Sequence, residues 1–128
     1  MAQTNNLKKD QWRSVCPITN TLDIFGDKWT LILIRDLFLG KQTYKEFLAS
    51  PEKFPTNILA ARLKRLLEYE IIKKEAYQQR PVRYRYSLTD KGRTLGPVIN
   101  EIKNWGLNNI PGTDDRLARE YFKKNKQT

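Results

Sequence analysis

Residues 55–70, PTNILAARLKRLLEYE, hold side chains whose spacing suits recognition of a nucleic acid. Leu59, Leu63 and Leu66 recur at i, i+4, i+7 and form one apolar stripe, which predicts an amphipathic helix. The opposite side carries Asn57, Ala60, Ala61, Lys64 and Arg65. A helix facing only water usually mixes Glu with Lys, whereas this one joins an amide, two methyls and two cations. Such a surface suits the DNA major groove, about 12 Å wide, which excludes bulk and negative charge. Ala60 and Ala61 permit close approach, Asn57 can pair bidentately with adenine, and Thr56 can reach a base edge or a phosphate. Thr56, Asn57, Ala61 and Lys64 are therefore expected to face bases, and Arg62 and Arg65 to serve phosphates. A plainer reading, a Leu-faced surface helix with no partner, fits the same stripe. The neighbouring elements decide between the two.

Before this segment, PITNTLDIF at 17–25 places Ile18, Leu22 and Phe25 on one helical face, with Pro17 at a first-turn position and Gly26 as the stop. DKWTLILIRDLFLG reads as a central buried helix that ends at Gly40. Thr43 and Glu46 match a capping box at the head of a short helix with Phe47 and Leu48 inward. ASPEKFP then interrupts with two prolines. After residue 70 the period falls from 3.6 to 2. Residues 71–77 read as one strand, QQRP as the tip, and Val82, Tyr84, Tyr86 and Leu88 as the inward face of a second strand with Arg83 and Arg85 turned outward. Thr89 is expected to cap a last long helix with Leu95, Val98, Ile99, Ile102 and Trp105 in a stripe, bent or broken early by Gly96 and Pro97. Thr113 is a candidate cap for a further piece containing Leu117, Tyr121 and Phe122.

Short helix, turn, second helix and two-stranded ribbon, in that order, predict a winged helix-turn-helix: mainly α with a small β-hairpin. The 128 residues are read as one domain, with a DNA-binding core at about 27–90 and dimerisation helices at about 14–26 and 89–122. Charge agrees. Lys and Arg number 24 against 14 Asp and Glu, giving a net charge of +10 and a pI near 9.8, which argues for a polyanionic partner. From Lys53 to Arg85 nine basic residues face three acidic ones. Lys73, Arg83 and Arg85 are expected on phosphates, and Arg80 at the ribbon tip is a candidate for the minor groove.

Other classes fare poorly. With no His and one Cys, His-based triads and zinc sites built on His or several Cys have no ligands, and the six glycines form no phosphate-binding loop. No enzyme activity, metal or cofactor is expected. The apolar run from Trp29 to Leu39 is too short and too charged to span a bilayer, and the first ten residues lack the apolar segment of a signal peptide. A lone Cys fits a reducing cytoplasm.

CPITNTLDIFGDKWTLILIRDLFLG, TNILAARLKRLLEYEIIKKE and YRYSLTDKG resemble the HxlR-type family of bacterial winged-helix transcriptional regulators, within the MarR-like group. The markers are Cys16-Pro17, the Gly-x-Lys-Trp at 26–29, the leucine spacing from Leu59 to Leu66 and the Tyr-x-Leu-Thr-x-Lys-Gly at 86–92, spread over roughly residues 14–110. The resemblance implies a homodimer on a palindromic operator in double-stranded DNA, with the first and last long helices as its interface. The ASPEKFP connection is longer than the family pattern. The stripe of Leu95, Val98, Ile99, Ile102 and Trp105 also argues for a dimer interface, being more apolar than a surface helix needs. Rival readings are a winged helix that binds nucleic acid without an operator, and a protein-interaction module that kept the fold.

Cys16 stands just before Pro17 at the positive end of a helix, with Arg13 nearby in sequence, and both features favour a thiolate. Some relatives implied by the resemblance sense oxidants or electrophiles through such a Cys. Against this stands the commoner state of a free Cys, a half-buried residue that packs and never reacts. Trp12, Trp29, Tyr44 and Trp105 are candidates to line a pocket for a small-molecule effector.

Overall fold

The computed structural model describes residues 12–116. Among them are six helices, α1 (Pro17–Phe25), α2 (Lys28–Phe38), α3 (Tyr44–Leu48), α4 (Thr56–Glu68), α5 (Asp90–Arg93) and α6 (Gly96–Asn109), and a hairpin of β1 (Ile72–Gln79) and β2 (Val82–Leu88). The architecture is the winged helix-turn-helix that the element order predicts.

Each helix start has a local cause. Pro17 opens α1, where its missing N–H leaves nothing unsatisfied. Asp27 caps α2 by accepting the Thr30 N–H at 3.0 Å. Thr43 and Glu46 form the predicted capping box at α3, Thr43 Oγ1 accepting the Glu46 N–H while Glu46 Oε1 accepts the Thr43 N–H. Gly40 follows α2 with φ of +99°, a left-handed conformation that spares Gly a Cβ clash.

The core lies where α2, α3, α4 and the hairpin meet. Leu33, Ile34, Phe47, Leu59 and Leu66 are fully or almost fully buried, with Leu63, Ile71, Ile72 and Leu88 beside them. Leu59, Leu63 and Leu66 are the stripe read from sequence, and they fix which side of α4 faces outward. The turn between α3 and α4 is pinned by charge. Asp36 and Ser50 are buried. The Ser50 hydroxyl donates to Asp36 and accepts from Lys41 Nζ at 3.0 Å, and Lys41 lies 3.7 Å from Asp36. Arg35 pairs with both Asp36 and Glu52 at 2.8 Å. Hydrogen bonds from Arg35 hold the Glu52 carboxyl below its usual range. The long ASPEKFP connection is thus tied to the end of α2.

β1 and β2 pair antiparallel, Ile72 opposite Leu88 and Gln79 opposite Val82, with a bulge between Ala76 and Gln78. The strand is longer than read from sequence, and the tip narrows from QQRP to Arg80-Pro81. The far edge of β2 meets the start of α3: Thr43 bridges Arg85, and the Tyr86 N–H donates to the Gln42 carbonyl at 2.7 Å. The Thr-x-Lys-Gly motif holds the other end of α4. Thr89 Oγ1 donates to the Glu70 and Ile71 carbonyls and Lys91 Nζ to the Tyr69 carbonyl at 2.8 Å. A Cβ on Gly92 would run into the Ile71 carbonyl, so only Gly permits this approach.

The last long helix is two. A four-residue turn, α5, follows Thr89, and α6 restarts at Gly96-Pro97 because the proline ring has no N–H to continue the ladder. The predicted stripe divides as well. Leu95 and Ile99 pack on the core of their own chain, while Val98, Ile102 and Trp105 are exposed. The Thr113 hydroxyl donates back to the Gly106 and Ile110 carbonyls, closing α6. The further piece with Leu117, Tyr121 and Phe122 lies outside the described residues.

Candidate nucleic-acid interface

α4 is anchored along its inner side by the three leucines and at its first residue by α3, whose Tyr44 hydroxyl donates to the Thr56 carbonyl at 2.9 Å. This leaves Thr56, Asn57, Ala60, Ala61 and Lys64 exposed as one surface. Thr56, Asn57, Ala61 and Lys64 therefore all lie on the outward side of α4.

Arg62 and Arg65 differ from expectation. Both fold along the flank of α4 onto Asp27, Arg62 Nε to Oδ1 at 3.1 Å and Arg65 Nη1 to Oδ2 at 3.1 Å. Arg65 also donates to the Ile24 carbonyl at the end of α1. They are about four-fifths and two-thirds covered, with side-chain exposures of 22% and 33%. Burial pushes the Asp27 carboxyl up. Hydrogen bonds from the Thr30 hydroxyl and N–H, and the Arg62 guanidinium, outweigh it and bring the pKa to about 2. Asp27 escaped the sequence reading. Its signal, an acid directly before a helix, shows the cap but not partners 35 and 38 positions away.

The hairpin supplies the second half of the surface. Lys73, Arg80, Arg83 and Arg85 are all exposed. Arg85 lies over the Tyr77 ring at 4.6 Å and Lys74 over Tyr84 at 4.2 Å, so two cations are held by aromatic faces rather than by carboxylates. None of these hairpin cations forms an ion pair among the described residues. A basic ribbon beside a small, amide-bearing helix face has the shape and charge to straddle a duplex groove and its phosphates.

Residues 24–114 match the HxlR-like helix-turn-helix family. The chain belongs to the HxlR family. Among curated HxlR-like relatives, it is 43% identical over 91 residues to the uncharacterized HTH-type transcriptional regulator YdeP of Bacillus subtilis (strain 168), covering 71% of each chain. It is 30% identical over 93 residues to the HTH-type transcriptional regulator YodB of the same organism, covering 72% of this chain and 83% of YodB. Among solved structures, the redox regulator HypR in its oxidized form superposes with a TM-score of 0.67 at 37% identity, over 73% of this chain and 97% of HypR. These relatives are regulators of transcription, not enzymes, and the HxlR chain described here is a transcriptional regulator with a helix-turn-helix DNA-binding domain. Among the described residues no helix is long and apolar enough to cross a membrane, and no acidic, His or Cys cluster could hold a metal.

The other candidate groups are scattered. Cys16 caps α1 and is half-exposed. Its side chain makes no cap hydrogen bond, yet the partial positive charges of the nearby Thr19 N–H and hydroxyl, then the Ile18 N–H, lower its pKa. Arg13 is taken by Asp23 at 2.7 Å, so its guanidinium does not act on the thiol as expected. The four aromatics do not converge. Trp12 packs near Tyr69, Trp29 on Phe54 at 5.2 Å, Tyr44 bonds Thr56, and Trp105 is exposed. A cavity of about 660 Å³ instead opens between α2 and α6, with Leu31, Ile32, Phe38 and Ile99 on its wall and the Arg35–Glu52 pair at its edge.

Proposed function

We propose that this regulator binds a palindromic operator as a homodimer, each protomer laying α4 in the major groove and the β1–β2 ribbon along the flanking backbone. The observation that carries the reading is the continuous outward surface of Thr56, Asn57, Ala61 and Lys64 with the exposed cations of the ribbon. Asn57 serves as a bidentate reader of adenine, Ala61 meets a thymine methyl, and Lys64 reaches a guanine edge. Lys73, Arg83 and Arg85 serve phosphates, and Arg80 at the tip enters the minor groove. Exposed Ile18 and Leu22 of α1 and Val98, Ile102 and Trp105 of α6 support the dimer, since a lone chain would leave these side chains in water. A two-fold pair would set two α4 helices one DNA turn apart, about 34–36 Å.

A second element of the reading is redox control through Cys16. It is supported by the lowered thiol pKa and by the likeness to HypR, a redox regulator. An oxidant such as diamide would take two electrons and two protons from two Cys16 thiols, leaving one disulfide between subunits and a reduced hydrazine.

The test compares two variants on an operator selected from bound genomic fragments and on random duplex. Arg83→Ala is expected to weaken binding to both and to flatten the salt dependence by about 0.9 for the lost phosphate contact. Asn57→Ala is expected to cost about 1–3 kcal/mol on the operator, at one base pair per half-site, and little on random DNA. Equal losses by both variants on both DNAs refute this division of roles.

A further inference from the structure

Asp27 is placed at a junction of three elements. It caps α2, its neighbour Gly26 ends α1, and both arginines of the outer flank of α4 converge on it. Its two oxygens are shared evenly. Oδ1 accepts the Thr30 N–H at 3.0 Å and Arg62 Nε at 3.1 Å, and Oδ2 accepts the Thr30 hydroxyl at 2.8 Å and Arg65 Nη1 at 3.1 Å. One carboxylate therefore holds two guanidinium groups, one turn apart, against the protein and off the outward surface of α4.

Phosphate contacts add affinity but carry no sequence information directly. Two long cations on the flank of a groove-entering helix would reach the backbone of any duplex if released. We propose that Asp27 is a specificity determinant: it withholds Arg62 and Arg65 from DNA phosphates, so that binding depends on Thr56, Asn57, Ala61 and Lys64. The inference rests on the DNA-binding reading above and adds a restraint to it. Asp27 acts through the arginines and is a positioning residue.

The experiment measures binding of a fluorescent random-sequence duplex by the full chain across a salt series, for wild type and Asp27→Asn. Asn is as good a helix cap as Asp, so the variant removes the charge and keeps the start of α2. Asp27→Ser provides a second capped, uncharged variant, and thermal melting checks that both are folded. Asp27→Asn is expected to bind random duplex more tightly, by roughly tenfold per freed guanidinium near 0.1 M salt, with a salt slope steeper by about 0.9 for each. Adding Arg62→Gln and Arg65→Gln to Asp27→Asn should return the slope to the wild-type value. The same two changes with Asp27 intact should leave it unaltered. A simple change in net charge would make the arginine substitutions equally costly in both backgrounds. An unchanged or flatter slope in Asp27→Asn, or a flatter slope when the arginines are replaced beside intact Asp27, overturns the inference while the DNA-binding reading stands. Absence of any complex at low salt with wild type and variant alike overturns both.

Discussion

Replacing Ser50 with Ala removes the hydroxyl that links two charges inside the turn of the helix-turn-helix. Ser50 is buried, donates to fully buried Asp36 and accepts from Lys41 Nζ at 3.0 Å. Hydrogen bonds to charged groups contribute about 1.5–3 kcal/mol each, so losing two would cost about 3–6 kcal/mol if nothing moved. Lys41 already lies 3.7 Å from Asp36 and can close on it, and Arg35 still pairs with Asp36 at 2.8 Å. The net cost is therefore expected near 2 kcal/mol, a drop in Tm of roughly 6–10 °C for a chain of this size. Calorimetry at fixed protein concentration measures it, because any self-association would make Tm depend on concentration. Lys41→Met tests the coupling: combined with Ser50→Ala it should cost less than the two single changes added, since both leave the same carboxylate underserved. A Tm shift below about 2 °C, or strictly additive costs, would show that the buried charges do not hold this turn.

Three further outcomes are expected. The Asp27 carboxyl sits at about 2 against an ordinary 3.8, so its contribution is complete above pH 3.8 and fades as the pH falls toward 2. With the side chain a third exposed, screening reduces that contribution to about 1 kcal/mol, and acid unfolding of Asp27→Asn should lack this step; an identical acid profile refutes it. Trp105→Glu, at a site 64% exposed, should yield monomers in sedimentation velocity with little change in the stability of each chain; a persistent dimer would place the interface elsewhere. Diamide should alter operator binding of the wild type and leave Cys16→Ser unaffected, and a response that survives in the variant removes Cys16 from sensing.

The sequence carried the fold where each feature depends on near neighbours. The Thr43–Glu46 box, the leucines of α4 and the alternation of β2 from Tyr84 to Leu88 act over a few positions, so their periods and caps appear in a linear reading, whereas Val82, read as inward, is exposed beside the hairpin tip. The Gly96-Pro97 break was readable too, though not that it leaves α5 a single turn. What stayed hidden was pairing at a distance. Nothing in the order of residues joins Asp27 to Arg62 and Arg65, or Asp36 to Ser50, because such partners depend on how helices cross. The same limit hid that Leu95 and Ile99, read as interface residues, pack on the core of their own chain. A stripe shows which residues share a side, but not that α6 turns part of that side onto its own α2. For the surface of α4 the reading went further, since the buried leucines leave one orientation for Asn57, Ala61 and Lys64.

The hairpin also bears on how such a protein tolerates crowding along a chromosome. The outer margin of β2 is occupied by the strand-like bridge at Thr43, while the outer margin of β1 has no strand partner among the described residues. A bare strand margin invites a stranger's backbone to add to the sheet and so begin aggregation. Here Lys73 and Lys74 set like charges along that margin, and the bulge beyond Ala76 spoils its straightness. The exposed cations of the ribbon thereby also discourage copies of the protein from pairing edge to edge.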